Sequence, residues 1–258
     1  MKKKLWIAAA AVLSAALLFS GYQVGSYLLA GQKAGQQFSN IAAQVVDSAP
    51  DKPSGGAQAA GKSAPSTPTW TVYDQYGKLF QQNPDMVGWI RLDGTAISYP
   101  VMQTPNTPDF YLTHGFDKQP SIYGVPFVDA ACSLDPQSDN ITIFSHHMKN
   151  GTMFAALENY KSEAFGRAHP LIHFDTKFGF GTYQVIAVFH TTPARFLYNA
   201  FVSAPNAAAF DDYVGRCKSL EYYNTGTSAS YGDKLLTLST CEYSEADSRL
   251  VVVAKKIS

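Results

Sequence analysis

Leu235-Leu-Thr-Leu-Ser-Thr-Cys241, followed by Glu242-Tyr-Ser-Glu-Ala-Asp-Ser248 and then Arg249-Leu-Val-Val-Val-Ala254, is the stretch that decides the fold. Its first segment is apolar and rich in β-formers, so it reads as a strand buried on at least one face, with a thiol at its C-terminal end. The middle segment is polar and seven residues long, and the last is a second β-branched run. Two such runs across a short polar loop pair as antiparallel neighbours, which sets Arg249 opposite Cys241. A fixed guanidinium beside a thiol favours thiolate and stabilises charge developing on a carbonyl oxygen. Taken alone, a cysteine at a strand end also fits a small buried hydrophobe.

Working outward, the same kind of strand recurs. Val87–Leu92 and Ala96–Met102 flank Asp93-Gly94, a hairpin turn signal. Gly124–Asp129, Ile141–His146, Leu171–Asp175 and Gly181–His190 are further strand candidates, making eight with the terminal pair. Their spacing suits a closed or nearly closed antiparallel barrel better than alternating βαβ units. Helical spacing is expected at Val72–Phe80, ended by Asn83-Pro84, and in patches at about residues 107–113, 153–163 and 206–223. In the last patch Phe210, Tyr213, Val214, Cys217 and Leu220 form one stripe, which assigns Cys217 to the core.

The N-terminus fixes the compartment. Lys2-Lys-Lys4 precedes the apolar run from Leu5 to Phe19, with a weaker apolar continuation to Ala30. Cations before an apolar segment hold that end in the cytoplasm, so the chain beyond the segment is translocated. With its continuation the run reaches the ~20 residues that a bilayer needs. No small-x-small cleavage site follows Phe19, which favours an uncleaved signal-anchor at residues 1–31 over a removed signal peptide. Phe38, Ile41, Val45 and Val46 recur at helical spacing and predict a short juxtamembrane helix. Residues 48–69 are Pro, Gly, Ser and Ala-rich, a flexible linker that cannot repay the entropy of ordering. The expected organisation is therefore an anchor (1–31), a helix and linker (32–69) and a folded domain (70–258).

Formal net charge is zero, which gives no electrostatic case for a nucleic-acid partner. Cys132, Cys217 and Cys241 are an odd count without CxxC spacing, against both a zinc site and a disulfide framework. No metal and no cofactor is expected. Ile141-Thr-Ile-Phe-Ser-His-His147 brings an imidazole to a strand end, and thiol plus imidazole is the minimal pair for covalent acyl transfer. Adjacent strand residues point to opposite faces, so the two histidines do not readily share one ion. The sequence by itself does not choose between His146 and His147.

These residues carry a family resemblance. Thr237–Cys241 with Arg249 downstream, Ser145-His-His-Met-Lys-Asn-Gly-Thr-Met-Phe154 upstream, Asn83-Pro-Asp-Met-Val-Gly-Trp-Ile90 and Tyr99-Pro-Val-Met-Gln103 together resemble a class B sortase. The likeness covers residues 70–258. It implies a mainly β fold with helices: an eight-stranded closed barrel, an N-terminal helix and a long helix between strands six and seven. The implied enzyme is a membrane-anchored cysteine transpeptidase of mostly Gram-positive bacteria. Its partners are surface proteins with an Asn-Pro-x-Thr-like C-terminal sorting signal, and a peptidoglycan or wall amine as acceptor.

Carried onto this chain, the resemblance makes Cys241 the nucleophile, His146 the acid/base and Arg249 the oxyanion-stabilising arginine, with the backbone N–H of Glu242 beside it. It makes Thr192 and Tyr198 peptide contacts, with Leu112, Ser239 and Glu242 lining the groove. Ser145 departs from the family, which usually has glycine before the histidine, but the change removes no functional group. Alternatives are a pilin-polymerising sortase, a secreted cysteine hydrolase of the same geometry, and an anchored, non-enzymatic β-barrel binding module.

Overall fold

A computed structural model of the chain describes residues 2–46, 70–241 and 247–258. It divides into two units, Met1–Asn40 and Ile41–Ser258. The expected linker at 48–69 lies outside the described residues, as does Glu242.

Helix α1, Lys2–Ala42, supplies the first unit. It is long and apolar enough to cross a membrane, and Leu13, Leu17, Leu18 and Phe19 are all exposed. At ~1.5 Å per residue it extends about 60 Å, well beyond a bilayer's hydrocarbon core. The juxtamembrane helix expected as a separate piece is continuous with it. Gly21, Gly25, Gly31 and Gly35 are its weak points, and isolated glycines cost a helix only about 1 kcal/mol each.

In the second unit, α2 (Val72–Gln82) begins at a reciprocal capping box between Thr71 and Asp74 and ends at Asn83. Its apolar stripe faces inward. Tyr76 stacks on Trp89 at 5.8 Å and donates its hydroxyl to Asp175 at 2.7 Å. Asn83 Nδ2 donates to the Tyr111 hydroxyl and to the Phe116 carbonyl, which ties the helix end to the next loop.

Eight strands follow: β1 (Met86–Arg91), β2 (Ser98–Met102), β3 (Phe127–Val128), β4 (Asn140–Phe144), β5 (Leu171–Thr176), β6 (Thr182–Thr191), β7 (Leu235–Cys241) and β8 (Arg249–Lys256). They close into a barrel in the order β1-β2-β3-β4-β7-β8-β6-β5. The closed barrel is as expected, but its antiparallel character is corrected at two seams: β2 with β3 and β4 with β7 run parallel. Both parallel pairs are joined through long connections, as parallel neighbours require. Strand three is shorter than expected because Gly124 adopts φ 59° and Pro126 has no N–H, so regular pairing starts only at Phe127. Ile90, Val101, Ile143, Ile172, Leu236, Leu238 and Val252 are fully buried and belong to the core.

Among the described residues two further α-helices complete the unit, α3 (Glu163–Ala168), entered from a 3-10 turn at Phe154–Lys161, and α4 (Ala207–Leu220), capped by Asn206. From α4, Phe210, Tyr213, Val214 and Cys217 cover Ile186 and Phe189 of β6 and Val251 and Val253 of β8. Each such side chain contributes roughly 1.5–3 kcal/mol on burial. The long helix lies between strands six and seven, as expected.

Candidate active site

Six of the seven residues of β7 are buried, and Cys241 at its end is half-buried. The β7–β8 register pairs Cys241 with Arg249. Directly opposed residues of an antiparallel pair project from the same face with Cβ atoms ~4.5–5.5 Å apart. Thiol and guanidinium therefore leave the sheet together. Arg249 donates Nη1–H to the Ser248 carbonyl at 3.0 Å, which restrains the head group.

The histidine segment reaches the same rim by another route. Strand β4 lies parallel to β7, with Phe144 beside Ser239. The next residue is held by two bonds: Ser145 N–H donates to the Ser239 carbonyl at 3.2 Å, and Thr240 Oγ1 donates to the Ser145 carbonyl at 2.8 Å. The strand expected to run to His146 stops at Phe144, because the Ser145 carbonyl is taken by that side chain instead of by a ladder partner. His146 then turns its ring toward Leu112, donating Nε2–H to the Leu112 carbonyl at 2.7 Å. His147 donates Nδ1–H to the Cys241 carbonyl at 3.0 Å. Since a carbonyl only accepts, each bond fixes which ring nitrogen bears hydrogen. The adjacent histidines thus serve opposite ends of one problem, His147 bracing the cysteine backbone while His146 keeps Nδ1 unused by that bond.

Met153 closes this loop at φ 58° and ψ −131°, a sparsely populated conformation for a side-chain-bearing residue. The Tyr99 hydroxyl accepts its N–H at 3.1 Å, and burial raises the Tyr99 phenol pKa.

Cys241, His146, Arg249, Leu112, Ser239 and Asn199 line one open cavity of about 510 Å³. This volume is within the range of peptide-sized and small-molecule sites. Five of those six residues were expected there from the sequence. Asn199 was not named, though the loop 191–201 that contains it was expected by resemblance to wall the groove; Phe127 and Asp129, which also border the space, were not expected. No local sequence signal marks them, because their place depends on how the barrel closes.

Thr192 and Tyr198 do not line the cavity. The Thr192 carbonyl instead accepts from the N–H groups of Arg195 and Phe196, forming a tight turn. Tyr198 is 5% exposed and shares a 2.5 Å hydrogen bond with Ser239 Oγ from beneath the rim. Burial pushes its phenol pKa up, opposed by the Ser239 bond and by the cation of Arg249. Phe201 stacks on Tyr213 at 4.0 Å, so this aromatic cluster packs against α4. Among the described residues no group of three His, Cys, Asp or Glu is arranged to hold a metal ion.

The model of the sortase domain matches residues 90–257. The chain belongs to the sortase family, in its class B. Over 189 residues this sortase is 34% identical to Sortase B of Staphylococcus aureus, covering 72% of this chain and 76% of that protein. It is 31% identical over 190 residues to Sortase B of Listeria monocytogenes, with the same coverage of 72% and 76%. Among solved structures, a Staphylococcus aureus sortase B–substrate complex superposes with a TM-score of 0.67 at 34% identity, covering 71% of this chain and 85% of that one. Sortase B of Clostridium perfringens does so with a TM-score of 0.66 at 32% identity, covering 70% and 99%. The closed eight-stranded barrel with its helices is that of the class, and membership makes this sortase a cysteine transpeptidase of the cell wall.

Proposed function

We propose that this enzyme cleaves a C-terminal sorting signal after its threonine and transfers the released acyl group to an amine of peptidoglycan. Cys241 Sγ attacks the threonyl carbonyl carbon, and the oxyanion forms against the Arg249 guanidinium. His146 gives a proton to the departing amine nitrogen as the C–N bond breaks, leaving a thioester on Cys241. The incoming amine then attacks that thioester, loses its proton to the same imidazole and expels the thiolate. The observation that carries this reading is the pairing of Cys241 with Arg249 at the mouth of the cavity that His146 also lines. Leu112 and Ser239 are the groove residues proposed to meet the peptide.

Two similar proteins bear on the partners. One solved sortase B is a complex with its substrate and another is complexed with triglycine. A short amine-bearing peptide is thus a ligand of that relative, which supports an amine acceptor here. The sorting signal is taken as Asn-Pro-x-Thr-like. The apolar N-terminal helix, which opens on Lys2–Lys4, supports a single-pass anchor with the catalytic unit outside the cytoplasm.

Mass spectrometry of the full chain in detergent, mixed with a panel of threonine-containing sorting peptides with and without triglycine, tests the proposal. A covalent adduct on Cys241 that resolves to an amide is expected. Cys241→Ala is expected to give neither adduct nor product while its unfolding midpoint stays within a few degrees of wild type, and residual transpeptidation in that variant would refute the assignment. An adduct that resolves to acid alone, whatever amine is supplied, would make the protein a hydrolase.

A further inference from the structure

We propose that Gly124 is a positioning residue for His146, acting through the Leu112 carbonyl. The inference rests on the reading of His146 as acid/base. Gly124 adopts φ 59°, and a Cβ there would stand 2.4 Å from the Tyr111 carbonyl oxygen and 2.8 Å from that of Leu112. Both atoms are backbone, so they yield only if the turn itself moves.

That turn is fixed on its other sides. Tyr111 is fully buried, and its hydroxyl accepts from Asn83 and donates to Asp85. The Tyr111 carbonyl accepts Val125 N–H at 2.9 Å, and Leu112 N–H donates to the Asp109 carbonyl at 2.9 Å. The Leu112 carbonyl is the group to which His146 donates Nε2–H at 2.7 Å. A side chain at 124 therefore displaces the acceptor that sets the ring. The missing Cβ, a choice usually explained by turn geometry alone, is linked here to the imidazole across one carbonyl.

The chemical consequence concerns which nitrogen works. With Nε2–H committed to a carbonyl in both charge states, Nδ1 is the atom that gives its proton to the leaving amine and takes one from the incoming amine. Nε2 keeps its own hydrogen throughout. Ring rotation about the Cβ–Cγ bond would break the Nε2–H bond and swing Nδ1 away from its direction, and the Leu112 bond opposes that rotation.

Long-range ¹H–¹⁵N correlation of the histidine rings in the full chain, assigned with His146→Gln, reads the tautomer directly. The neutral His146 ring is expected to carry its hydrogen on Nε2. A ring with hydrogen on Nδ1, or averaged between the two, overturns the proposal without any variant. Gly124→Ala and Gly124→Asn probe the link to Gly124, and Asn tolerates positive φ, so it isolates the effect of Cβ. Both are expected to average the His146 tautomers and lower kcat about 10–100-fold with KM within about twofold. Folded variants with the wild-type tautomer and wild-type kcat would reduce Gly124 to a turn former and overturn its role. Adduct formation by wild type is a separate measurement: its failure would remove the acid/base reading, while the tautomer could still be read.

Discussion

Cys217 and Cys241 are the same side chain in two regions built on different rules. Cys217 lies on α4, in the layer where a helix stripe meets the outer face of β6 and β8, and it is fully buried. Burial pushes its thiol up to about 12. Cys241 stands at the barrel rim, half-buried and bordering the cavity. Secondary structure alone delivers the first cysteine to its place, since one face of a regular helix has one destination. The rim is assembled from the ends of β4 and β7, the 3-10 turn that contains Leu112 and the segment after β6, and these meet only when the barrel closes. Inertness follows from a local pattern, while chemistry needs the tertiary fold.

The sharpest way to break this contrast is to count accessible thiols. Burial pushes the Cys217 thiol up to about 12 and the Cys132 thiol up to about 11, so neither carries appreciable thiolate at pH 8. Both also lack access to reagent. Iodoacetamide is therefore expected to modify one thiol of three in the native chain and all three in denaturant, with Cys241 the thiol labelled first, as read by peptide mapping. Rapid native labelling of Cys217 would mean that the helix layer opens far more readily than its packing implies.

The next test stays at the rim. Arg249→Lys keeps the positive charge opposite Cys241 but loses the planar fork, one arm of which is held by the Ser248 carbonyl. A loss of about 10²–10³ in kcat is expected, the scale of a missing oxyanion donor, with the unfolding midpoint nearly unchanged. Wild-type turnover would reduce Arg249 to a structural cation. The measurement is the rate of amide product with a sorting peptide and triglycine.

What could be read in the sequence divides along the same line. The pairing of Cys241 with Arg249 follows from two β-branched runs and a seven-residue loop, because a ladder converts sequence distance into register. The Cys217 stripe was legible by the same kind of regularity. The parallel pairs β2·β3 and β4·β7 were not, because long connections leave strand direction undetermined by spacing. Nor was the burial of Tyr198. Its neighbours Phe196 and Phe201 are as suited to a groove wall as to a core, and only the arrival of Tyr213 on α4 decides between them. Choosing between His146 and His147 needed the family likeness, since the two differ by a single step along the chain. In the fold that step sends one ring to Leu112 and the other to the Cys241 backbone.

The smallest expected effect isolates what holds the rim together. Thr237 and Thr240 sit three residues apart on β7, both buried, and each donates one side-chain hydrogen bond to the β4 segment: Thr237 to Asn140 Oδ1 at 2.8 Å, Thr240 to the Ser145 carbonyl at 2.8 Å. Replacing either by valine keeps the volume and removes the donor, leaving a buried oxygen short of a partner at a cost of about 1–3 kcal/mol. Stability is therefore expected to fall in both variants, and somewhat more in Thr237→Val, whose lost hydroxyl also lies 3.5 Å from the buried Tyr213 hydroxyl, measured by denaturant unfolding. Activity should separate them. Asn140 lies at the far end of β4, but Ser145 precedes His146 by one residue, so only Thr240→Val frees the segment that carries the imidazole. A three- to tenfold drop in kcat with little change in KM is expected for Thr240→Val, and less than twofold for Thr237→Val. Equal losses of activity would mean that the histidine segment is held by the Ser145–Ser239 backbone bond alone, and that the rim is more like the ladder than the contrast with Cys217 implies.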